Sequence, residues 1–110
     1  MNVLFVCTLN RARSVVAERL YRRTSGLRVR SAGVDARAAH RLDEADLAWA
    51  DQVIVFEPAH ARWITDTFAG DLPPILDAGV PDEFSAQDPA LVAALSDALE
   101  PILGPVDGVR

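Results

Sequence analysis

The chain contains a single cysteine, Cys7. Five residues separate Cys7 from Arg13, and Ser14 follows Arg13 directly. Cys7 ends the apolar run Phe5-Val6, and a pattern typical of an amphipathic helix begins near Arg13. The first turn of a helix carries free backbone N–H groups and the positive end of the helix dipole, and here both would face the sulfur. A helix N-terminus beside a cation favours thiolate over thiol, so Cys7 is predicted to be a nucleophile at neutral pH.

Arg13 provides a matching site for an anionic substrate. Its guanidinium is planar and permanently charged, and it can hold two phosphate oxygens at once, which the point charge of a lysine cannot do. We call the segment from Cys7 to Ser14 the anion-binding loop. The spacing leaves one alternative open, namely that Cys7 is only a small buried hydrophobic residue at the end of a strand.

The apolar pattern predicts strands that would position this loop. A continuous apolar run at residues 2–6 indicates a buried strand of a parallel sheet, and the β-branched run at residues 52–56 indicates a central strand. The alternating residues 27–31 indicate a strand at or near the edge, and Ile75 and Leu76 a short fourth strand. Ligands bind parallel sheets beyond the carboxyl ends of the strands, where the anion-binding loop would lie.

Helical patterns alternate with these strands, which predicts an α/β sandwich with right-handed crossovers. Gly33 is predicted to turn the chain after the second strand. The inward face of the third helix is predicted to consist of Ala61, Ile64, Thr65 and Phe68, which leaves His60 and Trp63 as surface and packing residues. The predicted helices run from Arg13 to about Thr24, from an Asp43 cap to Trp49, from Pro58 to Gly70, and from an Asp88 cap to an end marked by Pro101, Gly104 and Pro105.

Length and charge restrict the classes of function. A chain of 110 residues is expected to form one domain, residues 1–110. Residues 1–41 hold nine arginines against two acidic residues, a net charge of +7, whereas residues 42–110 have a net charge of −12. The anion-binding loop lies in the positive part, which favours an anionic substrate. The total charge of −5, without a basic stripe interleaved with aromatic residues, argues against a nucleic-acid partner.

The sequence also predicts a compartment and the absence of a metal. The first apolar run is too short for a signal-peptide core or a membrane span, so we expect a cytoplasmic protein with no membrane partner. A single cysteine cannot form an internal disulfide, and a reactive thiolate persists best in a reducing compartment. His40 has no second histidine at ligand spacing, so no metal site is expected.

Three segments together resemble the low-molecular-weight protein tyrosine phosphatase family. They are Val6 to Ser14, Ser31-Ala32-Gly33 and Pro81-Asp82-Glu83-Phe84, and the similarity runs from residue 3 to about residue 95. The family signature is cysteine, five residues, arginine and serine. The resemblance implies a doubly wound three-layer sandwich whose four-stranded parallel sheet has the order 2-1-3-4, with helices on both faces. It also implies hydrolysis of phosphotyrosine or aryl phosphate monoesters through a cysteinyl-phosphate intermediate, without metal or cofactor.

The resemblance assigns roles within the anion-binding loop. Asn10 matches an asparagine that stabilises the loop, which we expect to adopt a left-handed backbone conformation. Ser14 matches a hydroxyl that hydrogen-bonds the thiolate. The other residues expected to contact substrate are Thr8, Leu9, Arg11 and Ala12 in the loop, with Phe84 as an aromatic wall.

The family's general acid is an aspartate followed by proline and an aromatic residue, in the loop after the fourth strand. The nearest match is Asp82-Glu83-Phe84, in which glutamate replaces the proline. Asp88 followed by Pro89 keeps the dipeptide but has the pattern of a helix cap. We expect Asp82 to be the acid and keep Asp88 as the alternative.

Departures from the family pattern bear on substrate and redox behaviour. Leu9 stands where the family often has glycine, and Ala12 replaces its second loop cysteine, so oxidation of Cys7 is expected to be slow or irreversible. Family members carry an aromatic residue after Gly33 that stacks on phosphotyrosine. In this chain the only aromatic residue between Asn10 and Asp43 is Tyr21, which fits the helix pattern. A small aryl phosphate is therefore expected to fit better than a long phosphopeptide, with inorganic phosphate, sulfate or vanadate as further ligands.

Two other functions remain open. Arsenate reductases share the fold and the loop, but their electron relay uses further cysteines, so this chain would need an external thiol. A non-catalytic phosphate-binding module is the second alternative, because the acid motif is altered and the loops are short.

Overall fold

The computed structural model describes residues 1–106 as eight alternating elements. The strands are β1 Asn2–Cys7, β2 Arg28–Gly33, β3 Gln52–Val55 and β4 Ile75–Asp77, and the helices are α1 Arg13–Tyr21, α2 Glu44–Trp49, α3 Pro58–Thr67 and α4 Pro89–Leu103. All strand pairs are parallel, and the sheet has the order β2-β1-β3-β4. The expected strand order is confirmed.

Helices cover both faces of the sheet. Successive side chains of a strand point to opposite faces. Val3 and Phe5 of β1 therefore pack with buried residues of α1 and α4, whereas Leu4 and Val6 pack with buried residues of α2 and α3. All four side chains are 0% exposed. The continuous apolar run thus reflects a strand buried on both sides, and the three-layer sandwich is confirmed.

The outer strands carry the exposed side chains of the sheet. Arg28 and Arg30 of β2 are exposed, and the guanidinium of Arg30 lies 4.2 Å from the ring centroid of Trp49. Charged side chains on an edge strand oppose pairing with another chain. Leu76 of β4, on the opposite edge, is 43% exposed. The predicted edge position of β2 and central position of β3 are both confirmed.

The N-terminal caps of α2 and α4 lie where the sequence predicts them, whereas the C-terminal ends of α1 and α4 differ from the prediction. Asp43 and Asp46 form a capping box at the start of α2. Helix α1 ends at Tyr21 rather than near Thr24. Helix α4 continues through Pro101 to Leu103, with Gly104 as its C-cap, so Gly104 rather than Pro101 marks its end. A proline removes one helical N–H bond, but here the helix ends within three residues, so only its last turn is affected. None of the helices in residues 1–106 is long and apolar enough to cross a membrane.

Candidate active site

The anion-binding loop is held from outside by the segment that follows β2. The backbone N–H groups of Val34, Asp35 and Ala39 donate to the carbonyl oxygens of Cys7, Thr8 and Leu9 at 3.0, 3.0 and 3.1 Å. In a trans peptide the N–H points opposite to the C=O of the same unit. The next three N–H groups of the loop therefore point inward, toward the space that the loop encloses. This is the amide lining that an oxyanion site needs.

Gly33 allows this close approach and does not turn the chain, so the sequence prediction for this residue is wrong. It is the last residue of β2. A Cβ atom on Gly33 would lie 2.6 Å from the Cβ of Ala38, 2.7 Å from the carbonyl oxygen of Thr8 and 2.9 Å from the backbone N of Asn10. Only glycine permits β2 to end against the loop.

Behind the sulfur, Asn10 and Ser14 form a short chain of hydrogen bonds. The side-chain amide of Asn10 donates to Oγ of Ser14 at 2.9 Å, and Oγ of Ser14 lies 2.9 Å from Sγ of Cys7. Because Ser14 Oγ accepts from Asn10, its own proton is available for the sulfur, which stabilises a thiolate. Asn10 has a φ of 55°, so the expected left-handed conformation is confirmed.

Arg13 is buried and held by two acceptors on one edge of its guanidinium. Nη1 donates to Oε2 of Glu57 and to the carbonyl oxygen of Val80, each at 2.9 Å. Nη2 lies 3.9 Å from Oδ2 of Asp82. The hydrogen bond from Arg13 holds the pKa of Glu57 below its usual value. Glu57 thereby orients the guanidinium relative to the loop.

A small cavity lies at the mouth of the loop. Its volume is about 80 Å³, enough for a few water molecules or one tetrahedral oxyanion. The lining residues are Cys7, Thr8, Leu9, Arg11, Ala12, Arg13 and Asp82. A thiol, a guanidinium and a carboxyl group thus face one space of phosphate size.

The structure separates the two aspartates that the sequence left as candidates for the acid. Asp82 lines the cavity, and its side chain is 66% exposed. Asp88 caps α4, where its carboxylate accepts from the N–H of Ala90 at 2.9 Å. Asp82 is therefore the aspartate within reach of a ligand in the cavity.

Three other residues predicted to contact substrate do not line this cavity. Asn10 and Ser14 lie behind the sulfur, where they contact Cys7 rather than a ligand. Phe84 is half-buried and packs against the core cluster that α1 and α4 share. The hydrophobic effect favours this packing, and the aromatic wall at Phe84 stays a prediction.

His60, predicted to be a surface or packing residue, is buried beside the anion-binding loop, so a surface position is wrong. It is 2% exposed, and Nε2 lies 3.0 Å from Oγ1 of Thr8. Burial lowers its pKa to about 4. His60 precedes the buried Ile64 by one helical turn, a spacing that points to the inward face. Thr65, predicted to face inward, is exposed instead.

Glu57 is the second residue that the sequence analysis missed as a site residue. Its position carried a signal, because it follows β3 at the carboxyl edge of the sheet, the same edge at which β1 delivers Cys7.

One cluster away from the cavity has ligand types that suit a metal. Side-chain atoms of His40, Asp43 and Asp46 lie within 4.8 Å of one another. Oδ2 of Asp46 lies 2.8 Å from Nε2 of His40 and accepts from the N–H of Asp43, while the Asp43 carboxylate accepts from the N–H of Asp46. The capping box therefore accounts for the proximity of Asp43 to Asp46, and His40 joins them through its contact with Asp46.

Comparison with known protein families gives one match. The model described as low molecular weight phosphotyrosine protein phosphatase matches residues 2–69, which include the whole anion-binding loop. No curated protein sequence matches the chain.

Several solved structures are similar over most of their length. The low molecular weight protein tyrosine phosphatase from T. tengcongensis is 25% identical with a TM-score of 0.64, over 91% of each chain. The YwlE arginine phosphatase from Geobacillus stearothermophilus is 24% identical with a TM-score of 0.68, over 88% of this chain and 84% of that chain. An arsenate reductase from Archaeoglobus fulgidus is 22% identical with a TM-score of 0.57, over 90% and 94%. One fold thus carries three named activities, so the choice among them depends on the site.

Proposed function

Because the chain belongs to the low molecular weight phosphotyrosine protein phosphatase family, a family of cysteine-dependent phosphatases, we propose that it hydrolyses phosphotyrosine or small aryl phosphate monoesters with Cys7 as nucleophile. One observation supports this most strongly. The cavity of about 80 Å³ brings Cys7, Arg13 and Asp82 to the same phosphate-sized space.

In the first step, the Cys7 thiolate attacks phosphorus. The S–P bond forms as the P–O bond to the leaving group breaks, and protonated Asp82 gives its proton to the leaving oxygen. Arg13 and the inward N–H groups of the loop hold the non-bridging oxygens as charge redistributes among them. Ser14 donates a hydrogen bond to the attacking sulfur.

In the second step, water releases the phosphate. The Asp82 carboxylate takes a proton from water, the water oxygen bonds to phosphorus, and the S–P bond breaks to restore the thiolate. Asp82 ends the cycle protonated, as it began. The residues described supply every proton and electron pair, so no cofactor is required by this scheme.

Phosphoarginine is a second candidate substrate. Among the residues described, those lining the cavity include no aromatic side chain that could stack on a phenyl ring, and Asp82 offers an exposed carboxylate. A carboxylate at the mouth of the cavity can pair with a guanidinium group. The similar structure from Geobacillus stearothermophilus is named as an arginine phosphatase.

The remaining two alternatives make different predictions. Arsenate reduction by this chain would need an external thiol, because Cys7 is its only cysteine. A non-catalytic module would bind phosphate without turnover.

One assay series separates these functions. Wild type, Cys7→Ser and Arg13→Lys are assayed on p-nitrophenyl phosphate, a phosphotyrosine peptide and a phosphoarginine peptide, and arsenate reduction is measured with glutathione or thioredoxin. We expect wild type to hydrolyse the aryl phosphate. The Cys7→Ser substitution should abolish this turnover, and Arg13→Lys should reduce it severely. Turnover of phosphoarginine alone would select the second candidate, and phosphate binding without turnover would select the non-catalytic module.

A phosphatase of this kind has expected ligands and an expected compartment. We expect inorganic phosphate, sulfate and vanadate to compete with the substrate, which is a phosphorylated protein or a small aryl phosphate. Neither a nucleic acid nor a membrane is expected as partner, and the cytoplasm is the expected location, because a reactive thiolate needs a reducing compartment.

A further inference from the structure

His60 reaches the anion-binding loop from a distant part of the chain. It lies in the first turn of α3, is 2% exposed, and places Nε2 3.0 Å from Oγ1 of Thr8. A buried ring nitrogen needs a hydrogen-bond partner, and the partner of Nε2 lies on the loop. The contact joins α3 to the residue directly after Cys7.

The other ring nitrogen defines the direction of this hydrogen bond. The backbone N–H of Phe56 donates to Nδ1 of His60 at 3.4 Å, so Nδ1 is an acceptor and carries no proton. Nε2 is then the protonated nitrogen and donates to Thr8. The imidazole is neutral at neutral pH, because burial lowers the pKa of His60 to about 4.

The direction of this bond determines what the Thr8 hydroxyl can do. A hydroxyl has one proton and two acceptor positions. Since Oγ1 accepts from His60, its own proton points elsewhere, and Thr8 lines the cavity beside Cys7. The hydroxyl proton is thus available as a donor to a phosphate oxygen in this space.

The same helical turn also holds the other end of the loop. Glu57 precedes His60 by three residues and accepts from Nη1 of Arg13 at 2.9 Å. Oε1 of Glu57 lies 3.8 Å from Nε2 of His60, farther than Thr8 Oγ1 and beyond hydrogen-bond range. The start of α3 therefore contacts both Thr8 and Arg13.

We propose that His60 is a positioning residue whose neutral imidazole directs the Thr8 hydroxyl as a hydrogen-bond donor to an oxygen of the bound phosphate. This inference rests on the proposed function of the site. It adds Thr8 to the groups that hold the phosphate and gives His60 a role through Thr8 rather than through contact with substrate.

The test uses two replacements of His60, one that keeps the contact with Thr8 and one that keeps only the contact with Phe56. The amide nitrogen of Gln matches Nε2 in position, so His60→Gln retains a donor to Thr8, whereas the shorter side chain of His60→Asn reaches only the Phe56 side. Binding of inorganic phosphate is measured by calorimetry, together with kcat and KM for p-nitrophenyl phosphate. His60→Asn and Thr8→Val are expected to weaken phosphate binding about threefold to tenfold, the range of one hydrogen bond. The conservative variants His60→Gln and Thr8→Ser are expected to recover most of the binding that His60→Asn and Thr8→Val lose.

The double variant His60→Asn/Thr8→Val tests whether His60 acts through Thr8. If it does, the double variant binds phosphate no more weakly than Thr8→Val alone. Additive losses, or equal losses in His60→Asn and His60→Gln, would overturn the proposal.

A spectroscopic measurement on wild type needs no substitution and so does not depend on whether a variant folds. Nitrogen-15 NMR of wild type should show His60 as the neutral tautomer protonated on Nε2, and the tautomer protonated on Nδ1 would also overturn the proposal. If wild type does not hydrolyse p-nitrophenyl phosphate at all, the proposed function is contradicted instead. Phosphate binding and the tautomer would still report on His60 in that case.

Discussion

Glu57 and Arg13 form the closest ion pair across the candidate site. Oε2 of Glu57 accepts from Nη1 of Arg13 at 2.9 Å, and the two residues are 44 positions apart in the chain. The Arg13 side chain is 3% exposed and that of Glu57 is 39% exposed. A largely buried guanidinium needs such a partner to remain in one orientation, and that orientation decides which N–H groups face the cavity.

Replacing Glu57 should therefore impair catalysis through Arg13. A hydrogen bond to a charged group contributes about 1.5–3 kcal/mol, so Glu57→Gln is expected to lower kcat/KM for p-nitrophenyl phosphate about tenfold or more. Asp66→Asn, at an exposed position on the same helix, is the matched control and should be near wild type. Equal kinetics for Glu57→Gln and wild type would show that Glu57 does not position Arg13.

Substitutions of Asp82 and Asp88 should affect kcat differently across substrates with different leaving groups. Asp82→Asn is expected to lower kcat about 10²- to 10⁴-fold for phenyl phosphate, whose leaving group needs a proton, and less for p-nitrophenyl phosphate. Asp88→Ala should leave kcat near wild type but reduce the free energy of unfolding by about 1 kcal/mol, because a helix cap is lost. A large fall in kcat for Asp88→Ala with normal turnover by Asp82→Asn would reverse the assignment.

Ser14 should govern the reactivity of the thiol. Its hydroxyl is the group placed to donate to Sγ of Cys7, at 2.9 Å. Ser14→Ala is expected to slow alkylation by iodoacetate at pH 7 about tenfold, because one hydrogen bond to a charged sulfur is lost. Added phosphate or vanadate should protect wild type from alkylation. An unchanged alkylation rate in Ser14→Ala, in a variant that still unfolds cooperatively, would rule out this role.

His60 should make the stability of the protein depend on pH. Its pKa is about 4 in the folded protein against 6.5 for the ordinary side chain, mainly because of burial, while Glu57, Asp77 and Asp82 oppose the shift and Arg13 adds to it. Between these two values the unfolded chain binds a proton that the folded protein does not, so the free energy of unfolding falls as pH decreases from 6.5 to 4.

Urea unfolding across this range measures the effect. His60→Asn should show a flatter pH dependence than wild type. Glu57 contributes in the same direction only at lower pH, because its pKa lies below the ordinary 4.5 and the stability it provides is lost as pH falls through its folded value. Parallel curves for wild type and His60→Asn would contradict the assignment to His60.

Much of the fold was predictable from short stretches of the chain. The Asp43 and Asp88 caps and the buried strand that ends at Cys7 all depend on residues within a few positions of each other. Such features follow from backbone propensity and local hydrogen bonding. The strand order and the left-handed Asn10 came from the resemblance of three segments to a known family, and the structure confirmed both.

The sequence by itself thus determined the nucleophile candidate, its loop and the alternation of strands and helices. Only the tertiary structure decided which side chains support that loop. His60 meets Thr8 across 52 residues, Glu57 meets Arg13 across 44, and Gly33 meets the loop by close approach. These contacts arise because parallel strands deliver their carboxyl ends to one edge, and the side chains that meet there depend on register and packing, which no local pattern encodes.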